Sequence, residues 1–83
     1  MANYSDLIRK PWETDFSPFG RATHYARERD GLGPPAIKVG RMSAWVAGEL
    51  DAVNTAIIAG RSDDEIRALV RDLVAQRTAG EGQ

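Results

Sequence analysis

With 83 residues, 42% of them hydrophobic and 28% charged, the chain has room for one globular domain with a modest core. It contains no cysteine and a single histidine, which excludes disulfides, thiolate metal sites and cysteine nucleophiles, and argues against a histidine metal site or a Ser/His/Asp triad. No apolar run reaches the ~18 residues that a membrane span needs, and the net charge of −1 by itself argues against a nucleic-acid partner.

The charges are unevenly distributed along the chain. Residues 17–45 carry five basic and two acidic side chains, a net charge of +3, whereas residues 46–83 carry four basic and seven acidic ones, a net charge of −3. A basic half joined to an acidic half indicates that one half contacts phosphates while the other faces something else, although small imbalances of this kind also arise by chance.

The first predicted elements are an arm and a short helix. Residues 1–10 lack periodic apolar support and are predicted to form an arm, since Pro11 prevents a helix from running through. Pro11 also suits the first turn of a new helix over residues 11–16, in which Trp12 and Phe16 share one face and pack inward. A Ser-Pro-Phe-Gly turn separates this helix from the next one.

A polar-faced helix is predicted over residues 21–30, with Gly20 as its N-cap. At about 100° per residue, its inner side is mostly small and apolar and comprises Ala22, Tyr25, Ala26 and a structural Arg29. Its outer side carries side chains that read bases and phosphates, namely Thr23, His24 and Arg27, with Arg21 at the edge. The alternative for His24 is a partly packed surface histidine, and that for Arg27 is a plain solvated charge.

A β-hairpin is predicted after two consecutive prolines, which forbid helix. Residues 36–39 and 42–45 flank Gly40-Arg41, a two-residue loop in which glycine supplies the positive φ of a type II′ turn. Alternation places Lys38 on the polar face. Arg41 lies at the tip, where its long side chain either contacts a partner or only prevents the sheet edge from pairing with another strand.

Two further helices complete the chain. The first is predicted over residues 47–59 and the second over residues 63–77, behind a Ser-Asp-Asp-Glu capping box whose serine and glutamate satisfy each other's free backbone donors. Residues 78–83 are predicted to be a frayed tail. The second helix carries an apolar stripe that either packs on its own domain or docks on a second copy or another protein: Ile66, Leu69, Val70, Leu73 and Val74.

The order of short helix, tight turn, polar-faced helix, hairpin and helix is the layout of a winged helix-turn-helix. The predicted fold class is therefore mainly α with a small β-hairpin, a winged helix-turn-helix with an added C-terminal helix. The predicted divisions are an arm at 1–10, the winged domain at 11–60, an amphipathic helix at 61–77 and a flexible tail at 78–83. In such a domain the second helix enters the major groove and the wing lies on an adjacent backbone or minor groove.

Residues 19–53 resemble the AlpA-like regulators and phage-type excisionases. That family has a Ser-Thr-Leu-Tyr segment, a glycine, a proline, a Val-Lys-Leu-Gly wing and a Trp-x-x-x-Glu helix start. The matching residues here are Ala22 to Tyr25, Gly31, Pro34, Ile37 to Gly40, Trp45, Glu49 and Asp51. The chain departs from the family at Pro11, which shortens the first helix, at His24, where a leucine is common, and at Gly20, where a serine often caps.

The resemblance implies a small non-enzymatic protein that binds double-stranded DNA, bends it and assembles along it. Recognition-helix contacts would be Arg21, Thr23, His24 and Arg27, and wing contacts would be Lys38 and Arg41. The first hypothesis is an excisionase, or recombination directionality factor, that steers a site-specific recombinase toward excision of a mobile element. The second is a transcriptional regulator at a promoter. The third is a protein-interaction module or antitoxin that acts through the apolar stripe of the last helix.

No paired carboxylates or phosphate-binding glycine loop indicate catalysis. We therefore expect no enzyme activity, no cofactor, no metal, and neither a membrane nor a small-molecule substrate as partner. Because a single domain of this size buries only about 600–1,000 Å² on DNA, we expect several copies to associate on it. No signal-peptide pattern opens the chain, and the expected location is the cytoplasm, in association with the nucleoid.

Overall fold

The computed structural model describes residues 6–81, with the side chains of residues 6–77. A three-stranded antiparallel sheet and three α-helices make up this part of the chain, with one short 3₁₀ helix at Pro11–Glu13. The strands are β1 (Leu7–Ile8), β2 (Ile37–Val39) and β3 (Met42–Val46), and the helices are α1 (Arg21–Arg29), α2 (Ala47–Ile58) and α3 (Asp63–Glu81). None of the helices described is long and apolar enough to cross a membrane.

The end of the predicted arm is a strand of the sheet. Leu7 pairs with Val46 and Ile8 with Trp45, so the sheet order is β1-β3-β2 rather than an isolated hairpin. The prediction of an arm is therefore wrong for β1, because two residues carry no periodicity of their own and gain their structure from a distant partner strand. Residues 1–5 of that arm lie outside the described residues.

The hairpin of β2 and β3 has the predicted register and loop. Val39 is opposite Met42, so Gly40-Arg41 is a two-residue connection, and Gly40 has φ of 62°. Arg41 does not share the positive φ, which fits a type II′ turn rather than type I′. Lys38 is exposed between two half-buried neighbours, which confirms the predicted alternation.

The helix predicted over residues 11–16 is shorter than expected. It ends at Glu13 because Thr14 adopts an extended backbone and its hydroxyl donates to the Pro11 carbonyl at 2.9 Å. The same hydroxyl accepts a hydrogen bond from the backbone N–H of Phe16 at 3.1 Å. A side chain that bonds local backbone groups in this way competes with helix extension.

The helices α2 and α3 begin as predicted. Ser62 Oγ accepts from the Glu65 N–H at 3.2 Å and the Ser62 N–H donates to Glu65 Oε1 at 3.0 Å, which confirms the capping box. The backbone of α3 continues to Glu81, so the predicted tail is helical over residues 78–81. Residues 82–83 lie outside the described residues.

One hydrophobic core joins α2, α3 and the loop after α1. Its buried members are Leu32, Val53, Ile66 and Val70, and Leu69, Leu73 and Val74 pack against them half-buried. The apolar stripe of α3 therefore packs on its own chain, which is one of the two predicted alternatives. The other alternative, in which Ile66, Leu69, Val70, Leu73 and Val74 form a protein-contact surface, is wrong for this packing because the stripe is covered.

A partly buried ion pair holds the C-terminal half of α3 at Arg77. Arg77 Nε donates to Glu49 Oε2 of α2 at 2.7 Å, and Arg77 Nη2 donates to the other carboxylate oxygen and to the Pro35 carbonyl at 2.8 Å. This two-pronged geometry is the strong form of an arginine–carboxylate contact. It connects α3, α2 and the segment that leads into the hairpin.

Candidate nucleic-acid interface

Four aromatic rings hold α1 against the sheet. Trp12 of the 3₁₀ helix, His24 and Tyr25 of α1, and Trp45 of β3 have centroids 5.2 to 6.0 Å apart in every pair. Edge-on and tilted contacts of this kind are the favourable arrangement of aromatic rings. We name these four residues the aromatic cluster. It decides which side of α1 faces inward.

His24 is the buried member of α1. Only 7% of its surface is exposed, so the prediction of an outward DNA contact is wrong. Its Nδ1 lies 3.4 Å from Ser17 Oγ, and its Nε2 has no partner among the described residues. Burial lowers the pKa of His24 below its usual 6.5, and the nearby Glu28 carboxylate opposes this shift.

The position of His24 could have been found from the family resemblance, where a leucine is common. A leucine at that site indicates an inward-facing position, whereas histidine chemistry favoured an outward one. Because His24 points inward, the whole helix is rotated relative to the prediction. Ala22 and Tyr25, predicted to face inward, are exposed, and so is Arg29, which was predicted to be structural.

Arg27 and Glu28 lie on the inner edge of α1. Arg27 is half-buried with its guanidinium 4.5 Å from the centroid of the Phe19 ring, a cation–π contact. Glu28 Oε1 accepts a hydrogen bond at 2.9 Å from the N–H of Ala36, just before β2. Arg27 is thus packed rather than fully outward, and the Glu28 carboxylate connects α1 to the hairpin.

The outer face of α1 and the hairpin carry exposed cations. Arg21 and Thr23 are exposed on α1 as predicted, and Lys38 and Arg41 are exposed on the hairpin. Among the described side chains, no carboxylate lies within salt-bridge distance of these three basic residues. Their charges are therefore free to meet an external anion.

An open groove of about 530 Å³ lies beside this face. Arg21 and Tyr25 of α1 and Ser43 and Trp45 of β3 contribute to its lining. Ser43 is directly opposite Lys38 in the hairpin, and directly paired side chains point to the same face of a sheet. The groove, the outer face of α1 and Lys38 therefore lie on one side of the molecule.

Two further groove residues, Arg9 and Lys10, were not predicted as site residues. Both are exposed and both line the groove from the segment between β1 and the 3₁₀ helix. The sequence signal for them is a pair of adjacent basic residues just before a proline. This pair indicates a place in the site only when the pairing of β1 with β3 is known.

Only one of the described acidic side chains lines this groove. Glu13 is the one carboxylate among its lining residues, whereas exposed acids occur along α2 and α3, namely Asp51, Asp63, Asp64, Glu65 and Asp72. The described residues contain no cluster of three His, Cys, Asp or Glu side chains that could hold a metal ion. The described residues that line the groove therefore carry three cations, Arg9, Lys10 and Arg21, and one carboxylate.

Comparisons of the chain with models of protein families, with curated proteins and with solved structures give no match.

Proposed function

We propose that this chain is a winged helix-turn-helix protein that binds double-stranded DNA, with α1 as recognition helix and the β2–β3 hairpin as wing. The observation that carries the proposal is the set of exposed cations without carboxylate partners on these two elements: Arg21, Lys38 and Arg41. Phosphate contacts supply most of the affinity of such proteins, and a major groove about 12 Å wide admits a helix.

The outer face of α1 has the side chains needed for base and phosphate contacts. Arg21 can pair with guanine or bind a phosphate. The Thr23 hydroxyl can donate a hydrogen bond to a base edge or to a phosphate oxygen, and the Tyr25 hydroxyl can donate one to a phosphate oxygen. Arg29 extends the basic face at the end of the helix. His24 and Arg27 are left out of this interface because they are packed against other side chains.

The two contact elements are held in a fixed relation. The aromatic cluster ties α1 to β3, and the Glu28 carboxylate ties α1 to the start of β2. A rigid spacing lets helix and wing engage neighbouring parts of one duplex without the cost of ordering them on binding.

We propose further that the protein is architectural and non-enzymatic, an excisionase or recombination directionality factor acting in several copies. A single small domain buries about 600–1,000 Å² on DNA, which gives weak and salt-sensitive binding by one copy. Copies bound side by side gain affinity and bend the duplex together. Footprinting over flanking genomic DNA tests this role, with evenly spaced protection expected inside a recombination site and protection over a promoter overturning it.

Binding itself is tested by fluorescence anisotropy with a labelled ~20-bp duplex across a salt series, where each phosphate contact contributes about 0.9 to the slope of log K against log salt. The slope is negative, and the variant Arg21→Ala/Arg41→Ala is expected to reduce its magnitude by about 2. The matched control is Arg61→Ala/Arg71→Ala, which removes two exposed arginines outside the proposed interface. Equal slopes for the two variants, or no binding by the wild type, would overturn the proposal.

A further inference from the structure

We propose that Arg9 and Lys10, together with Arg21, form a third DNA contact, in which the groove holds a backbone phosphate next to the segment that α1 engages. The inference rests on the proposed function and extends it to the segment that leads from β1 into the 3₁₀ helix. It adds two contact residues, Arg9 and Lys10, that belong neither to the recognition helix nor to the wing.

The groove has the charge that a phosphate requires. Arg9, Lys10 and Arg21 line it together with a single carboxylate, Glu13. Among the described side chains, none of these three cations is in an ion pair, so a phosphate would not have to displace a carboxylate.

The backbone that carries Arg9 and Lys10 is fixed on both sides. Ile8 is paired with Trp45 on the central strand, and Pro11 is fully buried. Lys10 itself has φ of 54°, the left-handed region that a lysine rarely adopts, and its carbonyl accepts from the Glu13 N–H at 2.9 Å. A strained residue held between two anchored neighbours is typical of a site whose side chains are positioned in advance.

The aromatic residues of the groove favour a phosphate over a stacked base. Trp45 is 1% exposed and packs edge-on against Trp12, so its ring offers no free face. The guanidinium of Arg21 lies 5.8 Å from the centroid of Trp12, close to that ring. Single-stranded nucleic acid is bound through successive exposed aromatic platforms, whereas among the described lining residues Tyr25 is the one exposed ring, beside three cations.

The groove is continuous with the recognition surface. Arg21 and Tyr25 line it and also stand on the outer face of α1. A duplex seated on α1 therefore brings its sugar-phosphate backbone past Arg9 and Lys10. The ligand chemistry is a phosphate diester of duplex DNA, and free phosphate is the competing source that the experiment must separate.

The experiment compares Arg9→Ala/Lys10→Ala with the control Arg61→Ala/Arg71→Ala in duplex binding across a salt series. The magnitude of the negative salt slope is expected to be smaller by about 2 in the first variant and unchanged in the control, since each phosphate bound by a cation contributes about 0.9 to it. Both tryptophans of the chain line the groove, so the change in intrinsic fluorescence on duplex binding is also expected to be smaller in Arg9→Ala/Lys10→Ala than in the control. If the alanine variant fails to fold, Arg9→Gln/Lys10→Asn removes the same charges with a residue that tolerates left-handed backbone.

The outcomes separate this inference from the proposed function. If the wild type binds duplex and Arg21→Ala/Arg41→Ala weakens it, while Arg9→Ala/Lys10→Ala matches the control, the third contact is overturned and the function stands. If the wild type does not bind duplex, both fall. A saturable fluorescence response to inorganic phosphate with none to duplex, or tighter binding of single strands than of duplex, would also overturn it.

Discussion

His24 is a buried base among aromatic rings, and its protonation state affects stability. Burial lowers its pKa below the usual 6.5 because the cationic form loses hydration, and Glu28 offsets only part of this loss. The native chain therefore holds the proton less tightly than the unfolded chain. Between the lowered pKa and 6.5 the unfolded state binds more protons, so the free energy of unfolding rises with pH in that window.

The first prediction concerns His24→Leu. In the wild type, the free energy of unfolding is expected to fall as pH drops through about 6.5 toward the lowered pKa, because the unfolded histidine takes up a proton. Leucine does not titrate and fills the site with an apolar side chain. We expect the variant to show a flat stability profile over the same window, measured by urea denaturation followed by tryptophan fluorescence.

Glu65 provides an internal control for this pH experiment. Hydrogen bonds from Ser62 lower the pKa of Glu65 below its usual 4.5, so its contribution is present above that value and is lost as pH falls through the lowered pKa. That loss occurs below pH 4.5 and is expected in both chains. A His24→Leu profile that parallels the wild type as pH falls below 6.5 would contradict the assignment of the slope to His24.

At the scale of single elements, local signals predicted most of the fold. The Ser62–Glu65 capping box and the Gly40-Arg41 loop are each specified by adjacent residues, and both are present. The strand β1 and the rotation of α1 depend instead on distant partners in β3. The helix α1 has few apolar side chains, and its histidine suits either an inner or an outer position. Its orientation is therefore set by tertiary contacts with the two tryptophans, which the periodicity of the helix sequence cannot reveal.

The candidate site follows the same division. Lys38 and Arg41 could be predicted because a hairpin fixes which side chains point outward. Arg9 and Lys10 could not be predicted, since their place beside α1 follows from the pairing of β1 with β3. Arg27 was misplaced with His24 because both positions depend on the same helix rotation.

The second prediction concerns the attachment of α3 through Arg77. Arg77→Ala would leave the Glu49 carboxylate buried without its partner and free the Pro35 carbonyl. Breaking a buried pair by removing one side typically costs roughly 3–5 kcal/mol. Because Arg77 is 20% exposed, we expect the free energy of unfolding to fall by about 3 kcal/mol, measured by chemical denaturation.

Arg71→Ala is the matched control, since it removes the same side chain from an exposed position of the same helix. Its effect is expected to stay within about 0.5 kcal/mol, as for most surface substitutions. Equal losses in the two variants would show that the contact of Arg77 with Glu49 does not stabilise the fold.

On the scale of the whole molecule, α3 is part of the core rather than an attachment to it. Of the four buried residues in the main cluster, Ile66 and Val70 belong to α3, while Leu32 and Val53 come from the loop after α1 and from α2. A boundary after residue 60 cuts through this cluster. It also separates Glu49 from Arg77, whose contact joins α2 to α3.

The third prediction is therefore that a chain ending at Gly60 does not fold on its own. It would expose Leu32 and Val53, leave Glu49 without its arginine, and fall to a size at which a domain buries only about 60% of its unfolded surface. We expect no cooperative thermal transition in its circular dichroism, whereas a chain ending at Arg77 retains one close to that of the full chain. Cooperative melting of the shorter chain would instead identify residues 11–60 as an independent domain, with α3 an addition whose apolar stripe is available to a partner.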